Sequence, residues 1–106
     1  MYDVELSKKA KQDLNEIIDY IAYDLSSPAT AIEWADDFER TLEKRLELFP
    51  YAYPVHAFLE SLGIEYRRTI KGNFTAFYKI IEKEKSVIIT YIVYNSRDVE
   101  KIIIQD

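Results

Sequence analysis

The chain has 106 residues, no cysteine, two glycines and three prolines, with 48% hydrophobic residues and a formal net charge of −5. That composition describes one compact domain spanning residues 1–106 and excludes a disordered tail, a disulfide framework and a thiolate metal site. Asp3 and Glu5 interrupt any secretory leader, and the longest apolar runs are too short for a bilayer, so a cytoplasmic protein with no membrane partner is expected.

The charge is unevenly placed. Residues 1–63 carry thirteen acidic against six basic side chains, and residues 64–106 carry six acidic against eight basic ones. The first part is acidic and the second weakly basic, which disfavours extensive phosphate binding without excluding a local basic patch.

Tyr2–Leu6 alternates apolar and acidic residues and predicts a short strand. Ser7 is a candidate N-cap for a helix whose stripe is Ala10, Leu14, Ile17, Ile18, Ile21 and Leu25. Ser27 followed by Pro28 predicts the start of a second helix, with a stripe of Ala31, Ile32, Ala35, Phe38, Leu42, Leu46 and Phe49 that ends at Pro50. So short a connection turns the two helices back on each other. Residues 50–63 read as a loop with one helical turn near Val55–Leu62. Three strands follow: Ile64–Lys71, Asn73–Ile81 and Ser86–Tyr94, with turns at Gly72–Asn73 and Glu82–Lys85. Arg68 shares a strand face with Tyr66 and Ile70, while Arg67 shares the other with Thr69 and Lys71. Ser86–Tyr94 is apolar on both faces apart from Thr90, as a doubly covered central strand should be. Val99–Asp106 fits a strand or a short helix. The fold class is α+β: an N-terminal strand, an antiparallel two-helix hairpin, then a three-stranded antiparallel meander.

No cofactor is expected. The single histidine, His56, has no second imidazole or thiol to complete a zinc site and reads as a solvent-exposed loop residue. A nucleophile elbow and a phosphate-cradling glycine loop are both missing from the sequence. Paired helix carboxylates such as Asp36/Asp37 and Glu43/Glu47 read as a solvated face. The remaining candidates are Arg67, Arg68, Lys71, Lys79 and Arg97, interleaved with Tyr66, Phe74, Phe77, Tyr78, Tyr91 and Tyr94. Arginines beside aromatics on a sheet can hold phosphates and stack bases. The same pattern also arises from core aromatics and arginines paired with helix carboxylates.

The ordered set of motifs resembles the RelE/ParE toxin superfamily over nearly the whole chain, from about Tyr2 to Asp98. The opening YDVELSKKAKQDLNEIIDYIA is similar to its first strand, polar cap, Asp-Leu and Ile-x-x-Tyr-Ile pattern. Ser27-Pro28 with Ala31 and Phe38, then Leu48-Phe49-Pro50, resemble the second helix and its exit. Tyr66-Arg67-Arg68, Gly72-Asn73-Phe74, Phe77-Tyr78 and Ile92 through Arg97-Asp98 resemble the strand block and its closing arginine.

The resemblance implies the toxin of a type II toxin–antitoxin module, neutralised by a cognate antitoxin. ParE-like members are associated with DNA gyrase and are not nucleases. RelE-like members are ribosome-dependent endoribonucleases acting on mRNA, so whether the chain is an enzyme turns on this division. A third alternative is an inactive antitoxin-binding module. For cleavage, the candidate catalytic residues are Arg68, Arg97 and Tyr78; for target binding, Arg67, Arg68, Lys71 and Arg97. Two departures favour the ParE-like reading: Thr75 stands where nucleases carry a basic residue, and Val99–Asp106 holds neither tyrosine nor histidine. Tyr20, Tyr23, Trp34 and Phe49 are apolar residues beyond a single helix stripe and are the candidate antitoxin contacts.

Overall fold

A computed structural model describes residues 1–95; Arg97, Asp98 and the Val99–Asp106 segment lie outside the described residues. Strand β1 spans Asp3–Leu6, helix α1 Lys8–Asp24, helix α2 Pro28–Leu48 and helix α3 Ala57–Ser61. Strands β2 (Arg67–Lys71), β3 (Phe74–Ile81) and β4 (Ser86–Tyr94) complete the order. The sheet runs β1-β4-β3-β2, with β1 parallel to β4 and the two remaining pairs antiparallel. The α+β architecture expected from the sequence is the observed one.

One residue makes the helical hairpin tight. Helix α1 closes with Ser26 in the left-handed region (φ 50), the Ser27 N–H donating to the Ala22 carbonyl and the Ser26 N–H to that of Tyr23. This is a Schellman closure. The Ser27 hydroxyl then accepts the Thr30 N–H, with Pro28 opening α2. Ser27 therefore ends one helix and begins the next.

The stripes pack onto the sheet as patterned, with three exceptions, of which Phe49 is exposed at the C-cap of α2. Ala10, Leu14, Phe38, Leu42 and Leu46 are buried against Ala76, Tyr78, Val87, Ile89 and Ile92. Burying side chains such as Phe38 and Leu42 stabilises the fold by about 1.5–3 kcal/mol each. Leu25 and Ile32, counted in the stripes, are exposed, because α1 ends at Asp24 and Ile32 lies on the outer side of α2.

Strand β4 carries a bulge. Phe77 pairs with Tyr91 but Tyr78 pairs with Ile89, so Thr90 is the extra residue. The bulge switches the alternation: Val87 and Ile89 face the helices, then Ile92 does, while Tyr91 and Val93 face the other way. On that far face Leu59 of α3, Tyr66, Phe77, Tyr91 and Val93 form a second buried cluster. Strand β2 begins at Arg67 rather than Ile64, because Tyr66 gives its carbonyl to the His56 N–H instead of continuing along β3. His56 is not a solvent-exposed loop residue. It is buried, its Nδ1 accepts the Leu59 N–H as the cap of α3, and its ring lies 5.9 Å from Phe77.

Candidate functional site

Strand β1 is only four residues long, and its last partner on β4 is Ile89. The chain then turns at Ser7, whose N–H bonds the Ile89 carbonyl and whose hydroxyl bonds that of Thr90, and enters α1. Beyond this point no strand among the described residues lies beside the outer edge of β4. The space is bounded instead by α1, the start of α2 and the ends of β3 and β4, and it forms a groove of about 810 Å³.

Asp13 supplies the acceptor that a strand would supply there. It is 8% exposed; its Oδ2 accepts the Ile92 N–H at 3.1 Å and its Oδ1 meets Lys9 Nζ at 2.8 Å. A carboxylate thus satisfies a backbone donor that would otherwise be left at a half-open edge.

The groove wall opposite α1 is aromatic. Trp34 stacks on Phe38 at 5.0 Å, meets Phe74 edge-on at 5.3 Å, and Phe74 meets Tyr94 edge-on at 5.6 Å. Tyr20, Ile17 and Ile21 line the α1 side. Of the four candidate antitoxin contacts, the structure brings Tyr20 and Trp34 into this groove. Tyr23 is 88% exposed and outside the lining, and Phe49 sits at the far end of α2. The fifteen residues from Trp34 to Phe49 correspond to roughly 22 Å of helix. The groove residues that the sequence reading does not single out are Asp13 and Glu16, while Phe74 and Tyr94 enter that reading only as aromatics interleaved with the basic strand residues. Asp13 had a visible signal: it is an acid three residues after Ala10, on the buried stripe.

The candidate arginines and lysine divide by strand face. Arg67 faces the helices, where Nη1 donates to the Tyr53 carbonyl at 2.7 Å and the guanidinium lies 5.1 Å from the Tyr51 ring centre. Lys71 pairs with Asp37 at 3.1 Å. Arg45 donates from α2 to the Thr69 hydroxyl and the Ile70 carbonyl, sealing part of the β2 edge. Arg68 is exposed on the opposite face and makes no ion pair among the described residues. Tyr78 is opposite Arg67 in register and fully buried, its hydroxyl donating to the Pro50 carbonyl at 2.6 Å. Burial pushes this phenol above its ordinary value, with the Arg67 charge drawing it partly back. Arg68 and Tyr78 are therefore not brought together, and Arg97 lies outside the described residues.

A helical hairpin lying on a four-stranded sheet, with an aromatic groove at its turn end, defines a small α+β protein of the RelE/ParE superfamily. The family model described as ParE toxin of type II toxin–antitoxin system, parDE, matches residues 4–99, and the chain belongs to that family. Its partner is accordingly a cognate antitoxin. A comparison with curated proteins found no match. Among the described residues, no helix is long and apolar enough to cross a membrane.

Proposed function

We propose that this chain is a cytoplasmic growth inhibitor that acts on DNA gyrase, and that its antitoxin neutralises it by seating a segment in the groove between α1, α2 and β4. The observation that carries the choice of target is the enclosure of Tyr78, the side chain among the cleavage candidates that could move a proton. Metal-free cleavage of RNA requires a base for the 2′-hydroxyl, a stabiliser of phosphorane charge and an acid for the leaving oxygen. Tyr78 is sealed under Pro50, and Arg67 is held by loop carbonyls on the helical face. Thr75, at the position that is basic in the nuclease pattern, is buried with its hydroxyl donating to Asn95 at 2.6 Å. A lysine or arginine there would bury an unpaired charge. Arg68 and Arg97 remain as the residues to contact the target.

The groove supports the antitoxin reading because aromatic side chains gather there beside a strand edge that no described strand covers. A disordered segment that folds there gains buried area while losing chain entropy.

The test is direct. Added to purified gyrase, the chain should block supercoiling, and its induction should cause filamentation and DNA-damage signalling while mRNA stays intact. Mapping transcript ends shortly after induction checks the alternative. Ribosome-phased cuts that vanish in Arg97→Ala would overturn the gyrase reading and place the chain among the nucleases.

A further inference from the structure

We infer that the groove takes a cationic side chain, a lysine or arginine of the antitoxin segment, held against its aromatic rings and paired with Glu16. The inference rests on the groove being the antitoxin site and adds the chemistry of its anchor.

Among the described residues, three charged ones line the groove: Lys9, Asp13 and Glu16. Asp13 is spent twice, on Lys9 and on the Ile92 N–H. Glu16 is exposed and makes no ion pair or hydrogen bond among the described residues. It therefore offers a spare negative charge at the rim. One turn further along α1 stands Tyr20, 69% exposed, which places the carboxylate and the phenol ring side by side on one helix face.

Across the groove, Tyr94 is 45% exposed, and Phe74 links it edge-on to Trp34. Aromatic faces carry the negative part of the ring quadrupole, so a ring beside an unpaired carboxylate favours a cation over a neutral side chain. Elsewhere this chain already fills its ring faces with cations. Arg67 lies over Tyr51 at 5.1 Å, Lys79 over Tyr66 at 4.7 Å and Lys85 over Tyr2 at 5.3 Å. None of the groove rings is occupied in this way by a described residue. The wider field has the same sign, because thirteen acidic residues face six basic ones across residues 1–63.

The experiment measures binding of the cognate antitoxin, purified from the reading frame adjoining this chain's own, at low and moderate salt. Tyr20→Phe keeps the ring and should bind within twofold of wild type. Tyr20→Leu keeps apolar area without the quadrupole and should bind about fivefold more weakly. Glu16→Gln should weaken binding about fivefold and flatten its salt dependence, and Glu16→Lys should weaken it more than tenfold. Glu16 and Tyr20 are exposed, so thermal unfolding should confirm an intact fold. Leu25→Ser and Asn73→Ala, at exposed lining positions that carry neither a ring nor a charge, report whether the groove is used at all. If these two weaken binding while Tyr20→Leu and Glu16→Lys leave it unchanged, the cationic anchor is wrong and the groove stands. If all the variants bind like wild type, or wild type forms no complex, both the anchor and the groove reading fall.

Discussion

Replacing Asp13 by alanine removes an acceptor that the fold uses in place of a strand. The lost interaction is a charge-assisted hydrogen bond to the Ile92 N–H, from a carboxylate only 8% exposed. Such bonds contribute about 1.5–3 kcal/mol, and a backbone donor stripped of its partner adds a penalty of similar origin. The Lys9 pair adds less than about 1 kcal/mol, because the lysine side chain is 43% exposed and screened. A net loss of about 2–3 kcal/mol follows. At about 2.1 cal/mol/K of unfolding entropy per residue, a chain of this length has about 0.22 kcal/mol/K, so Tm falls by about 9–13 °C. Asp13→Asn keeps the shape and one acceptor oxygen, and should cost about 1 kcal/mol, or roughly 4–5 °C. Thermal and urea unfolding followed by circular dichroism measure both losses. Amide exchange locates them: the Ile92 N–H should exchange faster in Asp13→Ala, while amides bonded between β3 and β4 stay slow. An alanine variant within about 2 °C of wild type with a slow Ile92 amide would refute the reasoning.

Tyr78→Phe should cost about 1–2 kcal/mol by leaving the Pro50 carbonyl without its donor, and should leave growth inhibition intact. Loss of toxicity in a stable Tyr78→Phe protein would instead mark a chemical role. The same variant should flatten the alkaline limb of stability. The unfolded phenol ionises near pH 10, whereas the folded one holds its proton to higher pH, so the stabilisation is complete below about pH 10 and is lost as pH rises further. Arg67→Ala should lower stability by about 1–2 kcal/mol through the freed Tyr53 carbonyl and the uncovered Tyr51 ring. Arg68→Ala should stay within about 0.5 kcal/mol of wild type while relieving growth inhibition, read by urea midpoints beside colony counts.

Much of this fold was legible because local signals and burial agree. Ser27-Pro28 fixes the hairpin through capping chemistry confined to neighbouring residues. The alternation of β2 was readable because one face meets α2 and the other does not, leaving Thr69 buried between exposed Arg68 and Ile70. The site was less legible, since its parts come from opposite ends of the sequence. Trp34 and Tyr94 share a wall only through Phe74 between them. Arg67 looked available because its partners are loop carbonyls, which leave no mark in composition, unlike a carboxylate. His56 looked exposed for a similar reason: capping a five-residue helix is a backbone relationship that a lone histidine does not announce.

The bulge at Thr90 ties these failures to the groove. In an unbroken strand, Val87, Ile89, Tyr91 and Val93 would all face the helices, and the run would read as one apolar face. The extra residue places Tyr91 and Val93 beneath α3, and turns Ile92 towards α1. It falls where β1 stops, so Ser7 can bond both the Ile89 and Thr90 carbonyls while the chain leaves the sheet. A longer β1 would cover the β4 edge and close the groove; an unbulged β4 would aim Tyr91 into it and carry the Ile92 N–H away from Asp13. The short strand, the bulge and the buried carboxylate are therefore one device. Together they leave the end of the β4 edge without a strand partner among the described residues, yet with its Ile92 N–H capped, as a fold that avoids pairing with an arbitrary strand requires.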